Sequence, residues 1–185
     1  MRSLRVGDLV TLDGIIFSCR DEMHLRALEL AREGQALPVD LEGAVIFHTG
    51  PIMRKAGSGW RVIAAGPTTS SRMDPMEPEF IERFGVRAII GKGGMSKPTV
   101  DAMARFGCVY LAFTGGAAVR GAEGIKEVKG VEWLDLGMPE AIWVMEAESF
   151  GPLLVAIDAR GNSLYRQVDE EVEANMGRAR KALGL

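Results

Sequence analysis

The sequence predicts a strand-rich α/β fold with a mixed or layered sheet. Eight largely apolar runs of strand length recur along the 185 residues, and many are bounded by Gly or Pro. Only three long stretches show helical periodicity, so strands and helices do not alternate as strictly as they would in a doubly wound sheet. Hydrophobic residues make up 47% of the chain, which is enough to bury a sizeable core. We therefore expect a single domain over residues 1–185.

The predicted strands are short apolar segments that end in polar or Gly-containing turns. A turn that follows a buried strand has a rigid support, which makes it a suitable place for functional side chains. In chain order the strands are predicted at 9–12, 15–17, 44–47, 62–65, 86–90, 109–113, 142–145 and 153–157.

Three helices are predicted from apolar residues spaced three and four positions apart. The first covers 20–32 and follows Ser18, which with Asp21 three residues later forms a variant of the capping box. The second begins after Ser96 and is stopped by Gly107. The third, 169–183, opens with acidic and closes with basic residues, which complements the helix dipole and indicates a C-terminal surface helix.

Charge and cysteine content exclude several classes of protein. The 22 basic and 25 acidic residues give a net charge of −3 and form no basic stripe, so we expect no nucleic-acid partner. Cys19 and Cys108 lack the paired spacing of metal sites, and no metal site is predicted in this chain. We see no secretion signal, and no apolar run approaches the roughly 20 residues that cross a bilayer, so we expect no membrane association and a cytoplasmic location.

A polar turn, Gly-Pro-Thr-Thr-Ser-Ser-Arg-Met-Asp, follows the predicted strand at 62–65. Thr68 and Thr69 place hydroxyl groups at the strand end. Arg72 can bind a carboxylate in bidentate fashion, and Asp74 could hold its guanidinium in place. An exposed Thr/Ser-rich turn with an ordinary surface arginine explains the same residue types equally well.

A second polar turn, at residues 91–94, directly follows the predicted strand at 86–90. A short helical stretch separates that strand from the first polar turn. Gly91, Lys92 and Gly93 precede a helix, and successive glycine amides before a helix N-terminus form a nest for an anion. The turn lacks the spacing of a Walker loop, so it does not indicate a nucleotide site. A Gly-rich connection with an exposed lysine is the structural alternative.

Three further polar residues lie near predicted element ends. Arg20 lies in the first turn of a helix, where a cation opposes the helix dipole and a bound carboxylate would offset that effect. A lone surface arginine is the simpler explanation. His24 follows one turn later and His48 lies at a strand end, and either could titrate near neutrality. No neighbouring carboxylate can be identified in the sequence, so packing or orientation is the simpler role for both histidines.

Taken together, these motifs resemble the class I fumarate hydratase family, namely its β subunit or the equivalent C-terminal domain of the single-chain enzymes. The β subunits of L-tartrate dehydratases look very similar. The resemblance runs in one consistent order over about residues 5–165 and includes His-Thr-Gly-Pro at 48–51, Gly-Gly-Ala-Ala at 115–118 and Glu-Ala-Ile-Trp at 140–143. It implies a swivelling β/β/α domain in which mixed sheets are layered with helices.

The resemblance also implies a partner and a cofactor. An α subunit would hold a [4Fe-4S] cluster on its own cysteines, the active site would be shared between subunits, and two such pairs would form an α2β2 assembly through homodimerisation. Thr68 would be the base that removes the C3 proton of malate, while Arg20, Arg72 and Lys92 would hold the substrate carboxylates and Thr69 would line the pocket. Supporting residues would be His24, His48, Asp74, Gly91 and Gly93.

The expected function is thus the reversible hydration of fumarate to (S)-malate by the β subunit of an iron-sulfur hydro-lyase. Dehydration of L(+)-tartrate to oxaloacetate is the alternative within the same class, and no residue decides between the two. A non-enzymatic alternative is an anion-binding regulatory module that uses the nest at 91–94. Met76 and Arg120 depart from the family pattern, which affects contacts near Arg72 and the partner surface or the charge of the site.

Overall fold

A computed structural model describes residues 1–184, and Leu185 lies outside the described residues. The chain is a mixed α/β structure in which a six-stranded sheet and a two-stranded hairpin pack with helices, so the predicted fold class is confirmed. The strands are β1 (Leu9–Ser18), β2 (Val45–Phe47), β3 (Ile52–Ala56), β4 (Gly59–Ala64), β5 (Ala88–Gly91), β6 (Val109–Ala112), β7 (Ile125–Glu132) and β8 (Ile142–Ile157). The helices are α1 (Asp21–Arg32), α2 (Glu77–Phe84), α3 (Lys97–Phe106), α4 (Ala118–Glu123) and α5 (Leu164–Ala182).

The large sheet has the order β1-β2-β5-β6-β8-β7, and an additional pairing between β1 and β8 closes it into a ring. Strands β1, β2, β5 and β6 run parallel to one another, whereas β8 runs antiparallel to β1, β6 and β7. The carboxyl ends of four parallel strands therefore meet at one edge of the sheet. The segments that follow these four ends all leave from this edge.

The core lies on both faces of the large sheet. Neighbouring residues of β5 point to opposite faces, so Ile89 packs in one hydrophobic cluster and Ile90 in the other. Helices α1, α2 and α3 cover the face of Ile89, and the β3–β4 hairpin covers the face of Ile90 through Met53 and Val62. The resulting order of hairpin, sheet and helices agrees with the expected layering.

Several boundaries differ from the sequence prediction. The runs at 9–12 and 15–17 form one strand, β1, which continues through Gly14 at φ 119°. The runs at 142–145 and 153–157 likewise belong to the single strand β8. Strands β3 and β7 were not predicted because each is paired along only one side in the described chain and its apolar residues are interrupted by charged ones. Helices α2 and α4 were not predicted because each is too short to show apolar residues at helical spacing over several turns.

The predicted capping role of Ser18 is wrong. Arg20 is the N-cap residue of α1 and its own side chain makes no capping hydrogen bond, while the Glu22 N–H in the first turn donates to Glu140 Oε2 at 3.1 Å. The Ser18 hydroxyl instead donates to the Ala141 carbonyl at 2.9 Å and accepts the Trp143 N–H at 2.8 Å. Ser18 therefore joins the end of β1 to the beginning of β8, and a buried tie between strands has taken the place of a helix cap.

The C-terminal helix is longer than predicted at its start. α5 begins at Leu164 rather than at residue 169, because the Ser163 hydroxyl caps it by accepting the Arg166 N–H at 3.4 Å. None of its residues is buried, which confirms a surface helix. Within residues 1–184, no helix has both the length and the apolar character required to traverse a membrane.

Candidate functional site

The two polar turns predicted from the sequence lie side by side. Thr69 follows β4 and forms an isolated parallel bridge with Lys92, which follows β5. The Ser70 N–H donates to the Lys92 carbonyl at 2.9 Å. The structure thus brings the hydroxyl-rich turn and the Gly-Lys-Gly-Gly turn together at the carboxyl edge of the sheet.

Thr68 is held through its backbone and not through its hydroxyl. Its N–H donates to the His48 carbonyl at 2.7 Å, which ties the turn after β4 to the end of β2. The side chain is half-buried, and its hydroxyl makes no hydrogen bond within residues 1–184. A fixed backbone with an uncommitted hydroxyl suits a group that must face a ligand.

Lys92 extends from the end of β5 towards the loop that follows β6. A Cβ placed on Gly115 would lie 3.5 Å from Lys92 Cδ and 3.9 Å from its Nζ. In the described part of the chain Lys92 belongs to no salt bridge, so its charge is not neutralised there by a carboxylate. This lysine is therefore a cation that a bound anion can approach.

Two guanidinium groups flank one carboxylate near the start of α1. Asp21 accepts from Arg72, whose Nε lies 3.1 Å from Oδ1 and whose Nη2 lies 2.8 Å from Oδ2. Arg20 Nε lies 3.9 Å from Asp21 Oδ2 and 3.1 Å from Glu140 Oε1. Asp21 therefore orients the Arg72 guanidinium, whereas Glu140 contacts Arg20 Nε as an ion pair without hydrogen-bond alignment; the side chains are 20% exposed at Arg20 and 49% exposed at Arg72. Asp21 follows Arg20 in the sequence and Glu140 opens the Glu-Ala-Ile-Trp motif, but sequence spacing alone did not reveal that these carboxylates pair with the two arginines.

The predicted partnership of Asp74 with Arg72 is wrong. Asp74 Oδ1 accepts the Ser96 N–H at 2.9 Å and the Thr99 hydroxyl at 2.7 Å. It therefore holds the beginning of α3, because two donors at that helix end meet its carboxylate. Asp74 supports the site only indirectly, by fixing the helix that follows the Gly-rich turn.

Glycines at the edge provide space that a side chain would fill. A Cβ on Gly91 would overlap Ser70 Oγ and approach Tyr110 Oη to 2.9 Å. A Cβ on Gly50 would overlap the Arg20 guanidinium. Gly93 has φ 80°, a conformation that non-glycine residues rarely adopt. Gly91 and Gly93 are thus required by close packing and backbone conformation at the Lys92 turn.

Both histidines lie in a buried cluster with a carboxylate that the sequence did not identify. His24 Nε2 lies 3.0 Å and His48 Nε2 lies 2.7 Å from Glu77 Oε1, and all three side chains are fully buried. The ring N–H directions depart from ideal hydrogen-bond alignment, so these are close polar contacts with bent geometry. Glu77 begins α2, and this helix is too short for the sequence to show which of its faces is buried. The position of Glu77 beside the histidines was therefore missed.

Burial and charge act in opposite directions within this cluster. Burial alone would raise the pKa of Glu77, but the charge of His24 and then, once the pH is low enough to protonate it, that of His48 outweigh burial and lower this pKa to about 2. Burial lowers the pKa of His48 below its usual value, against the opposing influence of Glu77. The cluster therefore favours an ionised Glu77 and a neutral His48.

The ligand atoms of His24, His48 and Glu77 lie within 4.8 Å of one another, which is also the spacing of a metal site. Ligand atoms around a tetrahedral Zn²⁺ with bonds of about 2.0–2.1 Å would be about 3.3 Å apart. The observed contacts of 2.7 and 3.0 Å are shorter and correspond to direct pairing between imidazole and carboxylate. We therefore interpret the cluster as one that shares protons.

The cysteines of this chain do not fit a [4Fe-4S] cluster. Cys19 and Cys108 are both buried, and they are fewer than the three or four thiolates that hold such a cluster. Burial, followed by the charge of Glu77, raises the pKa of both thiols well above its usual value. Because ligation needs the thiolate, neither cysteine is suited to this role.

The two departures from the family pattern lie outside the cationic edge. Met76 is the N-cap residue of α2 and packs against the core beneath the helices. Arg120 lies on α4, where its Nη1 contacts Glu123 Oε2 at 2.8 Å and its side chain is 73% exposed. Beside α4, a surface cavity of about 810 Å³ between β4 and β7 is lined by none of Thr68, Arg20, Arg72 or Lys92.

Fold and site together define a layered α/β domain with an open, cation-lined edge that suits a small anion. A protein-family profile described as "Fumarase C-terminus" matches residues 1–168, and the chain belongs to this family. The resemblance inferred from the motifs is confirmed.

Curated relatives match nearly the whole chain. It is 46% identical over 173 residues to the "Putative L(+)-tartrate dehydratase subunit beta" of Methanocaldococcus jannaschii, covering 93% of this chain and 89% of that protein. It is 45% identical over 167 residues to the "L(+)-tartrate dehydratase subunit beta" of Escherichia coli K12, covering 90% and 82%. The "Putative fumarate hydratase class I" of Geobacillus stearothermophilus is 42% identical over 171 residues, covering 92% of this chain but 32% of that protein.

Proposed function

We propose that the chain is the β subunit of an iron-sulfur hydro-lyase that interconverts fumarate and (S)-malate. The observation that supports this most directly is the meeting of Thr68, Lys92, Arg20 and Arg72 at one edge of a domain in the Fumarase C-terminus family. The names of the relatives, an L(+)-tartrate dehydratase β subunit and a putative class I fumarate hydratase, support a reaction of this class.

The three cations of the edge bind the two substrate carboxylates. Arg72 and Arg20 are oriented by Asp21 and Glu140, so less side-chain freedom is lost when a carboxylate binds. Lys92 supplies a compact positive charge next to the turn of Thr69. Bidentate binding at an arginine with a point charge at the lysine fixes the dicarboxylate in one orientation.

Thr68 acts as the base that removes the C3 proton of malate. A threonine hydroxyl is too weakly acidic to ionise unaided, so adjacent cations and exclusion of water must stabilise the alkoxide. The hydrogen bond from its N–H to the His48 carbonyl fixes the position of the hydroxyl relative to the edge. The same cations stabilise the negative charge that builds on the carboxylate as the proton leaves.

The remaining parts of the enzyme lie on a partner. We place the [4Fe-4S] cluster on an α subunit, where it supplies a Lewis acid for the leaving hydroxyl, because the cysteines of this chain do not fit it. The open edge of the β subunit then becomes an enclosed site only when the α subunit covers it. An α2β2 assembly with a β–β contact and a cytoplasmic location complete this proposal.

Tartrate dehydration is the second candidate function. The relatives from Methanocaldococcus jannaschii and Escherichia coli K12, at 46% and 45% identity, are both named for L(+)-tartrate dehydratase. Tartrate differs from malate by one additional hydroxyl group. The relative turnover of L(+)-tartrate and malate by the same reconstituted enzyme decides between the two.

Anaerobic reconstitution with a cluster-loaded α subunit tests the function itself. We expect the isolated β chain to be inactive and the mixture to hydrate fumarate or dehydrate L(+)-tartrate. Two folded subunits that associate and turn over neither substrate would contradict the proposal. Calorimetry on the isolated chain tests the regulatory alternative, which requires tight anion binding without the α subunit, whereas the enzyme requires only weak dicarboxylate binding.

A further inference from the structure

The buried cluster of His24, Glu77 and His48 connects to the site on both sides. On one side, the His24 ring Nδ1 lies 2.7 Å from the Arg20 carbonyl oxygen. On the other side, the His48 ring Nδ1 lies 2.9 Å from Ser70 Oγ, beside the turn of Thr69. One buried polar chain therefore runs from the backbone of a substrate-binding arginine to the hydroxyl-rich turn.

The hydrogen-bond partners determine where the protons lie. A carbonyl oxygen only accepts, so His24 must carry a proton on Nδ1, and its Nε2 faces a carboxylate oxygen that also accepts. His24 with a proton on both nitrogens satisfies these two contacts. The positive charge of that imidazolium balances the negative charge of Glu77.

His48 has the opposite arrangement. The Tyr110 hydroxyl donates to Ser70 Oγ at 2.8 Å, and the Ser70 hydroxyl can donate its own proton to His48 Nδ1 at 2.9 Å. Because burial also lowers the pKa of His48 and favours the uncharged ring, this arrangement gives a neutral His48 with its proton on Nε2, 2.7 Å from Glu77 Oε1. Burial raises the pKa of Tyr110 well above its usual value, so its hydroxyl keeps its proton and remains a donor.

We propose that His24, Glu77 and His48 form a buried cluster with no net charge that positions Arg20 and Thr68 for substrate. His24 is the imidazolium, His48 is the neutral Nε2–H tautomer, and Glu77 is the carboxylate between them. The backbone of His48 holds the Thr68 amide, and the ring of His24 holds the Arg20 carbonyl. These three are positioning residues, and this inference rests on the proposed function.

Nitrogen NMR of the imidazole rings tests the protonation states in the isolated full-length chain at pH 7. We expect both nitrogens of His24 to be protonated and His48 to be protonated only on Nε2. In Glu77→Gln, an amide replaces the carboxylate, and we expect His24 to become neutral with its proton on Nδ1. A neutral His24 in the wild type, or bound metal co-purifying with the cluster, would overturn the assignment.

Positioning is tested separately with Glu77→Leu. We expect hydrogen exchange of the Thr68 amide to accelerate at least about tenfold and kcat/KM of the reconstituted enzyme to fall about 100-fold, mainly in kcat, because small misplacements of reacting groups are costly. Glu77→Gln should lower kcat/KM by about three- to tenfold, a smaller loss because the amide retains polar partners for both rings. Glu79→Gln, two residues along α2 and paired with Arg32 on the surface, is the matched control.

The exchange and kinetic readouts separate two failures. Unchanged Thr68 exchange in both Glu77 variants would overturn the positioning role even if the enzyme were active. If Glu77→Leu does not fold, the Glu77→Gln comparison still decides, because a loss equal to that of Glu79→Gln excludes positioning. Inactivity of the wild-type reconstituted pair would instead contradict the proposed function while leaving the NMR result intact.

A different observation concerns the C-terminal helix. Val168, Val172 and Met176 of α5 are 50%, 52% and 46% exposed, and Ala179 continues this stripe by a further turn. The nineteen residues of α5 span about 28 Å, and the family profile ends at residue 168, so most of the helix lies beyond the matched region. An exposed apolar stripe of this length indicates a packing surface.

The charges beside this stripe are complementary to those of a second copy. At 100° per residue, Asp169, Glu173 and Arg180 lie on one flank of the stripe, and Glu171 and Arg178 lie on the other. Antiparallel alignment centred near residue 175 places Arg180 opposite the stretch between Asp169 and Glu173 of the second copy and places Arg178 near its Glu171. Parallel alignment would place like charges side by side.

We infer that α5 pairs antiparallel with α5 of a second copy of this chain, forming a two-fold symmetric contact. The occupant of the apolar stripe is thus the same stripe of the second copy, and the acidic first half of each helix lies against the basic second half of the other. This contact would supply the β–β association of the proposed assembly, and it does not depend on the enzymatic reaction.

Sedimentation of the full-length chain over about 1–200 µM tests the pairing, since one helix pair is a small interface and gives a weak dimer. We expect Val172→Glu to raise the dimer dissociation constant at least about tenfold. Ala174→Glu adds the same charge on the opposite face of α5 and should change it less than about twofold. A wild-type chain that stays monomeric throughout would overturn the inference.

Charge reversal tests the direction of the pairing. Arg180→Glu should weaken the dimer, and combining it with Asp169→Lys and Glu173→Lys should restore it, because the same contacts form with opposite signs. If these variants weaken only the binding of the α subunit, that subunit and not a second copy covers the stripe.

Discussion

At the scale of single residues, the least expected feature is that carboxylates organise a cationic site. Asp21 accepts the Nε–H of Arg72 and lies 2.8 Å from its Nη2, and Glu140 lies 3.1 Å from Arg20 Nε. These pairs hold the arginines in place before a ligand arrives, so binding needs less ordering of long side chains. The edge is thus prepared for a carboxylate by carboxylates of the chain itself.

Thr68→Ala should lower kcat of the reconstituted enzyme by about 10² to 10⁴-fold with little change in KM, since a proton-transfer group contributes an effect of that size. Thr68→Ser retains the hydroxyl and should recover a substantial part of the rate. Steady-state kinetics of both variants beside the wild type provide the measurement. Activity of the alanine variant within about threefold of wild type would mean that another group removes the proton.

The sequence predicted the members of the site better than their partners. Thr68, Thr69, Arg72 and Lys92 could be identified because each follows a recognisable apolar strand in a motif with few residue types. The role of Glu77 could not, because it depends on how a two-turn helix packs against α1 and the distant end of β2. Pairing between side chains far apart in sequence is a property of tertiary structure, and periodicity carries no information about it.

At the scale of elements, the turn after β5 depends on the absence of a side chain at Gly91. A Cβ there would overlap Ser70 Oγ and meet Tyr110 Oη at 2.9 Å. Gly91→Ala should therefore lower the free energy of unfolding by about 1–3 kcal/mol through overpacking. Urea denaturation measures the change.

The control for that substitution is Gly177→Ala in α5. No atom lies within 4 Å of a Cβ at this position, and alanine favours the helix by up to about 1 kcal/mol over glycine. We expect Gly177→Ala to leave stability equal or slightly higher. Equal losses at both glycines would show that packing around Gly91 does not limit stability.

Strands and helices could be predicted from the sequence where one face of the element is buried and its apolar residues recur with one clear period. The apolar runs of β1 and β8 were found, although each strand was divided into two at its irregular middle. The edge strand β7 was missed because a strand paired on one side needs no continuous apolar run. Ser18 was assigned to a cap since a strand-to-strand tie and a helix cap use the same residue type.

At the scale of the whole molecule, the buried cluster makes stability depend on acid. The pKa of Glu77, lowered to about 2 in the folded chain, lies below its ordinary value of about 4.5, so its contribution is complete above pH 4.5 and is lost as the pH falls towards 2. Burial lowers the pKa of His48, which favours unfolding once the pH falls below about 6.5. Asp21 is a further charge that acts on His48.

We expect the free energy of unfolding to be nearly constant between about pH 7 and 8, to decline below about 6.5 and to fall more steeply below about 4.5, by about 3 kcal/mol in total from Glu77. Denaturation at a series of pH values measures this profile. In Glu77→Gln we expect a smaller loss of unfolding free energy below pH 4.5. Glu79→Gln is the comparison, because it removes an exposed acid from the same helix. A wild-type profile without loss between pH 4.5 and 2 would contradict the ionised state of Glu77.

Strand β8 also constrains how the chain is made. Its pairings join Leu9 to Leu154 and Tyr110 to Ile157, so the ring of strands closes only after nearly the whole chain has been synthesised. Until residue 157 leaves the ribosome, β1 and β6 each present an open strand edge that can pair with other chains. Protease protection of β1 on stalled ribosomes should therefore appear late and abruptly, and the nascent chain must be shielded from aggregation throughout most of its synthesis.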